Sequence, residues 1–119
     1  MGDLNAVFGD LNKVKGNQNI VNGSLNQVIG SRNEMHGNEN KVKGNDNTAV
    51  GNKNAIQGNS NTAHGNQNTM IGDSNVVLGN KNSVLGSDNK IKGSENKVEG
   101  NSNMALGDLN SIKGHKNNV

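Results

Sequence analysis

A glycine stands at every seventh residue, from Gly2, Gly9 and Gly16 through to Gly114, without an insertion or deletion. An asparagine follows three residues later in all seventeen units, from Asn5 and Asn12 to Asn117. Two residues beyond it comes an apolar side chain: nine Val, three Ile, three Ala and two Met. A fixed short period marks a repeat architecture, in which each unit buries its apolar face only against its neighbours. With the glycine as position one, the asparagine is position four and the apolar residue position six. Position two is Asp, Asn or Ser everywhere except His115.

Two other states share a seven-residue period. A coiled coil needs two apolar positions per heptad, with helix formers between them. This chain has one such position, mostly β-branched, and a glycine in every unit, which opposes a helix. Disorder is suggested by composition alone: 29% of the chain is hydrophobic and Phe8 is the sole aromatic, too little for a thick globular core. A disordered chain, however, has no physical reason to keep seventeen units in phase.

Strands explain every position. Side chains alternate faces along a strand, so an inward position six places position four and the next glycine inward as well. Positions five and seven then face solvent. Positions two and three form the corner, where Asn, Asp and Ser suit turn geometry. The inward carboxamide has two donors and an acceptor, enough to bond corner backbone and the asparagine of the next coil. The absence of proline fits a chain that commits its N–H groups to ladders. Two heptads then make one 14-residue coil, and the chain makes a rod of about 8.5 coils, roughly 40 Å long at the usual strand spacing. Between the sheets, the small Ala49 and Ala63 should meet the larger Ile56 and Met70. The expected fold is therefore an all-β solenoid over residues 2–119, one domain with two flat parallel sheets, a thin core and internal asparagine ladders.

Only the outward residues remain to carry a function. Lys13, Lys15, Lys41 and Lys43 occupy heptads two and six, and Lys90, Lys92, Lys97 and Glu99 heptads thirteen and fourteen. Lysines in such places keep a rod solvated and block edge pairing. The net charge is only +2 and gives no strong pull toward nucleic acid or membrane; the aromatics that stack bases are also missing. Heptads seven to twelve carry no fixed charge outward. Their residues include Thr48, Val50, Thr62, Thr69, Ile71, Val76 and Ser83, and all three threonines of the protein stand at position five. A regular grid of methyls and hydroxyls can order water, with neighbours at about 4.8 Å between coils.

Catalytic chemistry is not expected. There is no cysteine, and His36 and His64 stand two coils apart, about 9.6 Å, too far to share a zinc ion. Calcium would have only corner oxygens such as that of Asp73. No cofactor is expected, nor a cavity of ligand size in so thin a solenoid. No stretch is apolar enough for a signal peptide or a membrane span. Asn22-Gly23-Ser24 is the sole glycosylation sequon, meaningful only for a secreted chain.

Units such as Asn47-Thr48-Ala49-Val50-Gly51 and Asn68-Thr69-Met70-Ile71-Gly72 give the chain a repeat that resembles the xxNxVxG heptad of grass ice-recrystallisation-inhibition proteins. The resemblance covers residues 2–119. It implies a left-handed β-roll, an extracellular setting and ice or ordered water as the partner. It further implies that outward Thr, Ser and Val make the contact, here Thr48, Val50, Thr62, Thr69, Val76 and Ser83, with Ile71 beside them. Lysines and glutamates hold many corresponding sites elsewhere, where a charge hinders such a face. A weaker resemblance, to the head domains of trimeric autotransporter adhesins, implies a structural or adhesive rod. Leu4, Leu11, Leu25 and Leu109 at corner position three leave two roles open, covering an end of the rod or stacking rods end to end into filaments.

Overall fold

In a computed structural model, which describes residues 2–119, the chain winds as a β-solenoid of sixteen three-residue strands. One sheet, called A here, is built from the odd heptads: β1 (Ala6–Phe8), β3 (Ile20–Asn22), β5 (Glu34–His36), β7 (Thr48–Val50), β9 (Thr62–His64), β11 (Val76–Leu78), β13 (Lys90–Lys92) and β15 (Met104–Leu106). Sheet B takes the even heptads: β2 (Lys13–Lys15), β4 (Gln27–Ile29), β6 (Lys41–Lys43), β8 (Ala55–Gln57), β10 (Thr69–Ile71), β12 (Ser83–Leu85), β14 (Lys97–Glu99) and β16 (Ser111–Lys113). All neighbours pair in parallel with a shift of 14 residues, as in Thr48↔Thr62 and Thr69↔Ser83. The molecule measures 41 × 19 × 12 Å, the length expected from the coil count.

Position six forms the core. Fourteen of these residues, from Val21 to Ile112, are buried in one continuous cluster between the sheets. The alanines Ala49 and Ala63 alternate along the chain with Ile56 and Met70, so small and large side chains share the narrow gap and the sheets stay close.

The asparagines at position four are the second half of the interior; thirteen of them, Asn19 to Asn103, are buried. Asn61 shows the pattern. Its Nδ2 donates to Gly72 O at 2.7 Å and to Asn47 Oδ1 at 3.1 Å. Its Oδ1 accepts from the backbone N–H and the Nδ2 of Asn75, at 3.0 and 3.1 Å. Each carboxamide thus ties its own corner to the coils on either side. Among the described residues no buried side-chain nitrogen or oxygen lacks a partner, which meets the requirement that polar groups taken from water be bonded.

The corners contain two features beyond the expected turn. Position two builds an outer ladder: the N–H of Asn52 donates to Asn66 Oδ1 and that of Asn66 to Asn80 Oδ1, each at 2.9 Å. The exception at this position keeps an acceptor, since His115 Nδ1 receives the Asn101 N–H at 3.1 Å. Position three is left-handed in every heptad, with φ between 55° and 62°, although no glycine stands there. Leu4, Leu11, Leu25 and Leu109 are among these residues and are exposed.

The inward glycines are required by contact as well as by conformation. Gly65 has φ +130°, and a Cβ on it would stand 1.9 Å from Gly79 O in the next coil. Gly65→Ala is therefore expected to abolish the cooperative melting transition or lower its midpoint more than any outward substitution, checked by circular dichroism on heating. In the same measurement Asn61→Ala should cost roughly 3 kcal/mol, because it removes buried bonds and strands the Asn75 donors. Asn66→Ala in the exposed outer ladder should cost about 1 kcal/mol, because water replaces its bonds, and Thr62→Ala less still. Equal midpoints for the Asn61 and Thr62 variants would contradict the inward ladder.

Candidate functional site

The strand period turns the outward residues of each sheet into two columns, one of position five and one of position seven. On sheet A the strands β7, β9 and β11 align Thr48, Thr62 and Val76 in the first column and Val50, His64 and Leu78 in the second. On sheet B the strands β8, β10 and β12 align Ala55, Thr69 and Ser83, then Gln57, Ile71 and Leu85. None of these twelve side chains carries a fixed charge. The seven candidates named from the sequence therefore fall on opposite faces of a molecule whose smallest extent is 12 Å. Thr48, Val50, Thr62 and Val76 share sheet A; Thr69, Ile71 and Ser83 share sheet B. One flat surface can touch only one of the two sets.

The faces differ in three respects. Thr48, Val50, Thr62 and Val76 are half-buried by their neighbours, whereas Thr69, Ile71 and Ser83 are exposed. Crowding of this kind restricts rotamers and makes the sheet A array the more ordered one. Charge also divides unevenly. Sheet A presents Glu34, Lys90 and Lys92 outward. Sheet B presents Lys13, Lys15, Lys41, Lys43, Lys97, Glu99 and Lys113. Finally, sheet B has an open hollow of about 510 Å³, larger than the hollow of about 230 Å³ that Val76 and Leu78 border on sheet A. The short Ala55 lies between Lys41 and Thr69 in its column, and Gln57 between Lys43 and Ile71. The expectation of no ligand-sized cavity is thus corrected on the outer face: one small side chain beside the long Lys41 and Lys43 suffices to make a depression.

The corners hold the clearest ion pair. Arg32 donates to both carboxylate oxygens of Asp46, at 2.6 and 2.8 Å. That hydrogen bond holds the Asp46 carboxyl below the usual carboxylate range. His36 Nε2 meets Glu34 Oε1 at 2.8 Å on the same strand, β5. His64 stands two strands away across β7. Among the described residues no group of three His, Cys, Asp or Glu is placed to hold a metal ion. Asp73 Oδ1 is engaged in the outer ladder, where it accepts the Asn59 N–H at 2.7 Å.

Repeat, buried asparagine ladders and paired parallel sheets together define a β-roll. The pattern of the grass antifreeze beta roll matches residues 1–76 and again residues 30–119, so that the two matches span the whole chain. The chain belongs to the grass antifreeze beta roll family. No curated protein matches it. Membership supports an ice-binding role in general, a non-enzymatic kind of activity. Sequence reasoning found the outward residues and the uncharged coils. It did not find the hollow at Ala55, whose only signal is a lone alanine in a column of lysine and threonine.

In this β-roll the outward face can be altered without touching the core. Thr62→Lys is expected to leave the unfolding free energy within about 0.5 kcal/mol of the parent, measured by thermal denaturation. A larger loss would show that the outward threonines hold the sheet together.

Proposed function

We propose that the chain binds ice through the outward face of sheet A over β7, β9 and β11 and thereby inhibits ice recrystallisation, acting outside the cell. The observation that carries the proposal is the unbroken register Thr48↔Thr62↔Val76 beside Val50↔His64↔Leu78, free of fixed charge and half-buried at Thr48, Val50, Thr62 and Val76. The contact residues are Thr48, Val50, Thr62 and Val76.

Threonine offers a methyl and a hydroxyl from a stiff β-branched side chain. Columns at the strand spacing of about 4.8 Å and a two-residue repeat of roughly 6.8 Å make a rectangular lattice. Water over such a lattice is held by the hydroxyls and confined by the methyls, so it carries little entropy to lose when it joins a crystal. A molecule adsorbed in this way pins the local ice surface, and grain boundaries that depend on surface migration stall. A lysine in the lattice would work against this, because an ammonium is a strongly hydrated point charge that orients water to itself.

The sheet B residues Thr69, Ile71 and Ser83 form a smaller and more exposed array, and Thr69 and Ile71 line the hollow, so they are the comparison set. In a flash-frozen film with protein at micromolar concentration, grain growth should stall beside an inert control. Thr62→Lys should let the grains coarsen as in the control, while Thr69→Lys should keep them small. The reverse pattern would move the ice face to sheet B, and coarsening with the unmodified protein would refute ice binding altogether.

A further inference from the structure

One charged patch plays no part in the ice face. Outward on β2 and β6 stand Lys13, Lys15, Lys41 and Lys43, with Gln27 and Ile29 of β4 between them in register. Strand geometry puts the four side-chain origins at the corners of a rectangle of about 9.6 Å along the rod and roughly 6.8 Å across. On sheet B no carboxylate faces outward before Glu99 on β14. Of the nearby corner acids, Asp46 is held by Arg32 at 2.6 Å and Glu39 lies 3.9 Å from Lys53, while the exposed Asp10 precedes β2 without an ion pair among the described residues. Among the described residues none of the four lysines pairs with a carboxylate.

Protection of a sheet edge does not account for all of them. Lysines that block pairing belong on edge strands, but β6 lies between β4 and β8. Lys41 and Lys43 also border the hollow, whose wall includes the amides of Gln27 and Gln57 and the residue Thr69. The surface thus joins four cations without a carboxylate partner to neutral hydrogen-bonding groups on an extended strip.

We infer that this half of sheet B is a docking surface for a carboxylated polysaccharide. The lysines face the carboxylates, and the amides and the threonine hydroxyl face the sugar hydroxyls. A linear polymer with repeating charge fits a strip whose cations repeat along the rod. Nucleic acid is disfavoured because base stacking needs aromatics, and Phe8, the sole one, lies on sheet A. An anionic membrane is disfavoured because Ile29 alone stands between the lysines, too little apolar surface to insert.

The test is retention on immobilised polygalacturonate at low salt, an assay without ice and so independent of the ice-binding reading. The parent protein should be retained and released as salt rises, since exposed charges are screened. The double variant Lys41→Gln/Lys43→Gln should bind about tenfold more weakly, as expected for two exposed ion pairs. Lys90→Gln/Lys92→Gln, which removes the same charge from sheet A, should bind like the parent. Equal weakening of the two variants would mean that net charge alone drives retention and would overturn the docking surface. Equal retention on neutral dextran would do the same. Tighter binding to phosphatidylserine vesicles or to single-stranded DNA at the same salt would overturn the choice of a polysaccharide.

Discussion

The buried carboxamide at position four holds the molecule together. A thin core of one residue per heptad cannot offset the conformational entropy of a coil by apolar burial alone. Asparagine supplies the missing cohesion, since one side chain bonds both adjacent coils. It also imposes specificity. A ladder of this kind forms only when every coil has 14 residues, because a slipped register would bury donors with no acceptor. The unbroken count of the heptads is the record of that demand.

The fold was largely legible in the sequence because its rules repeat. Gly65, Asn61 and Ala63 each occupy a place that sixteen other units define, and strand alternation alone assigns their direction. Less legible was the left-handed backbone at position three. Asn or Gly favours that conformation, yet Leu, Ser, Lys and Glu stand there. Pinned by hydrogen bonds on both flanks, the corner imposes φ whatever the side chain. The outer ladder was partly visible in the preference for Asn, Asp and Ser at position two, and the Nδ1 of His115 shows that an acceptor is the actual requirement.

The candidate site was legible as a set of residues and not as a surface. Thr62 and Thr69 are seven residues apart and carry the same side chain, but they face opposite ways. Only the pairing separates them, and only the burial of Thr48, Val50 and Val76 distinguishes an ordered array from an exposed one. The hollow at Ala55 depends on side-chain lengths two coils apart, a relation that linear reading does not display. A scaffold satisfied entirely from within leaves the two faces free to diverge, and here they have, toward a neutral lattice on one and a cationic strip on the other.

The two ladders run in opposite senses. At position four the later coil donates to the earlier one, as Asn75 does to Asn61. At position two the earlier coil donates to the later, as Asn52 does to Asn66. Stacked amides that all pointed one way would add their dipoles and build a field growing with every coil. Where asparagine fills both positions, from Asn38 to Asn68, the opposed stacks offset one another in part. Duplicating a heptad pair of that kind therefore lengthens the rod while adding little to its axial polarisation.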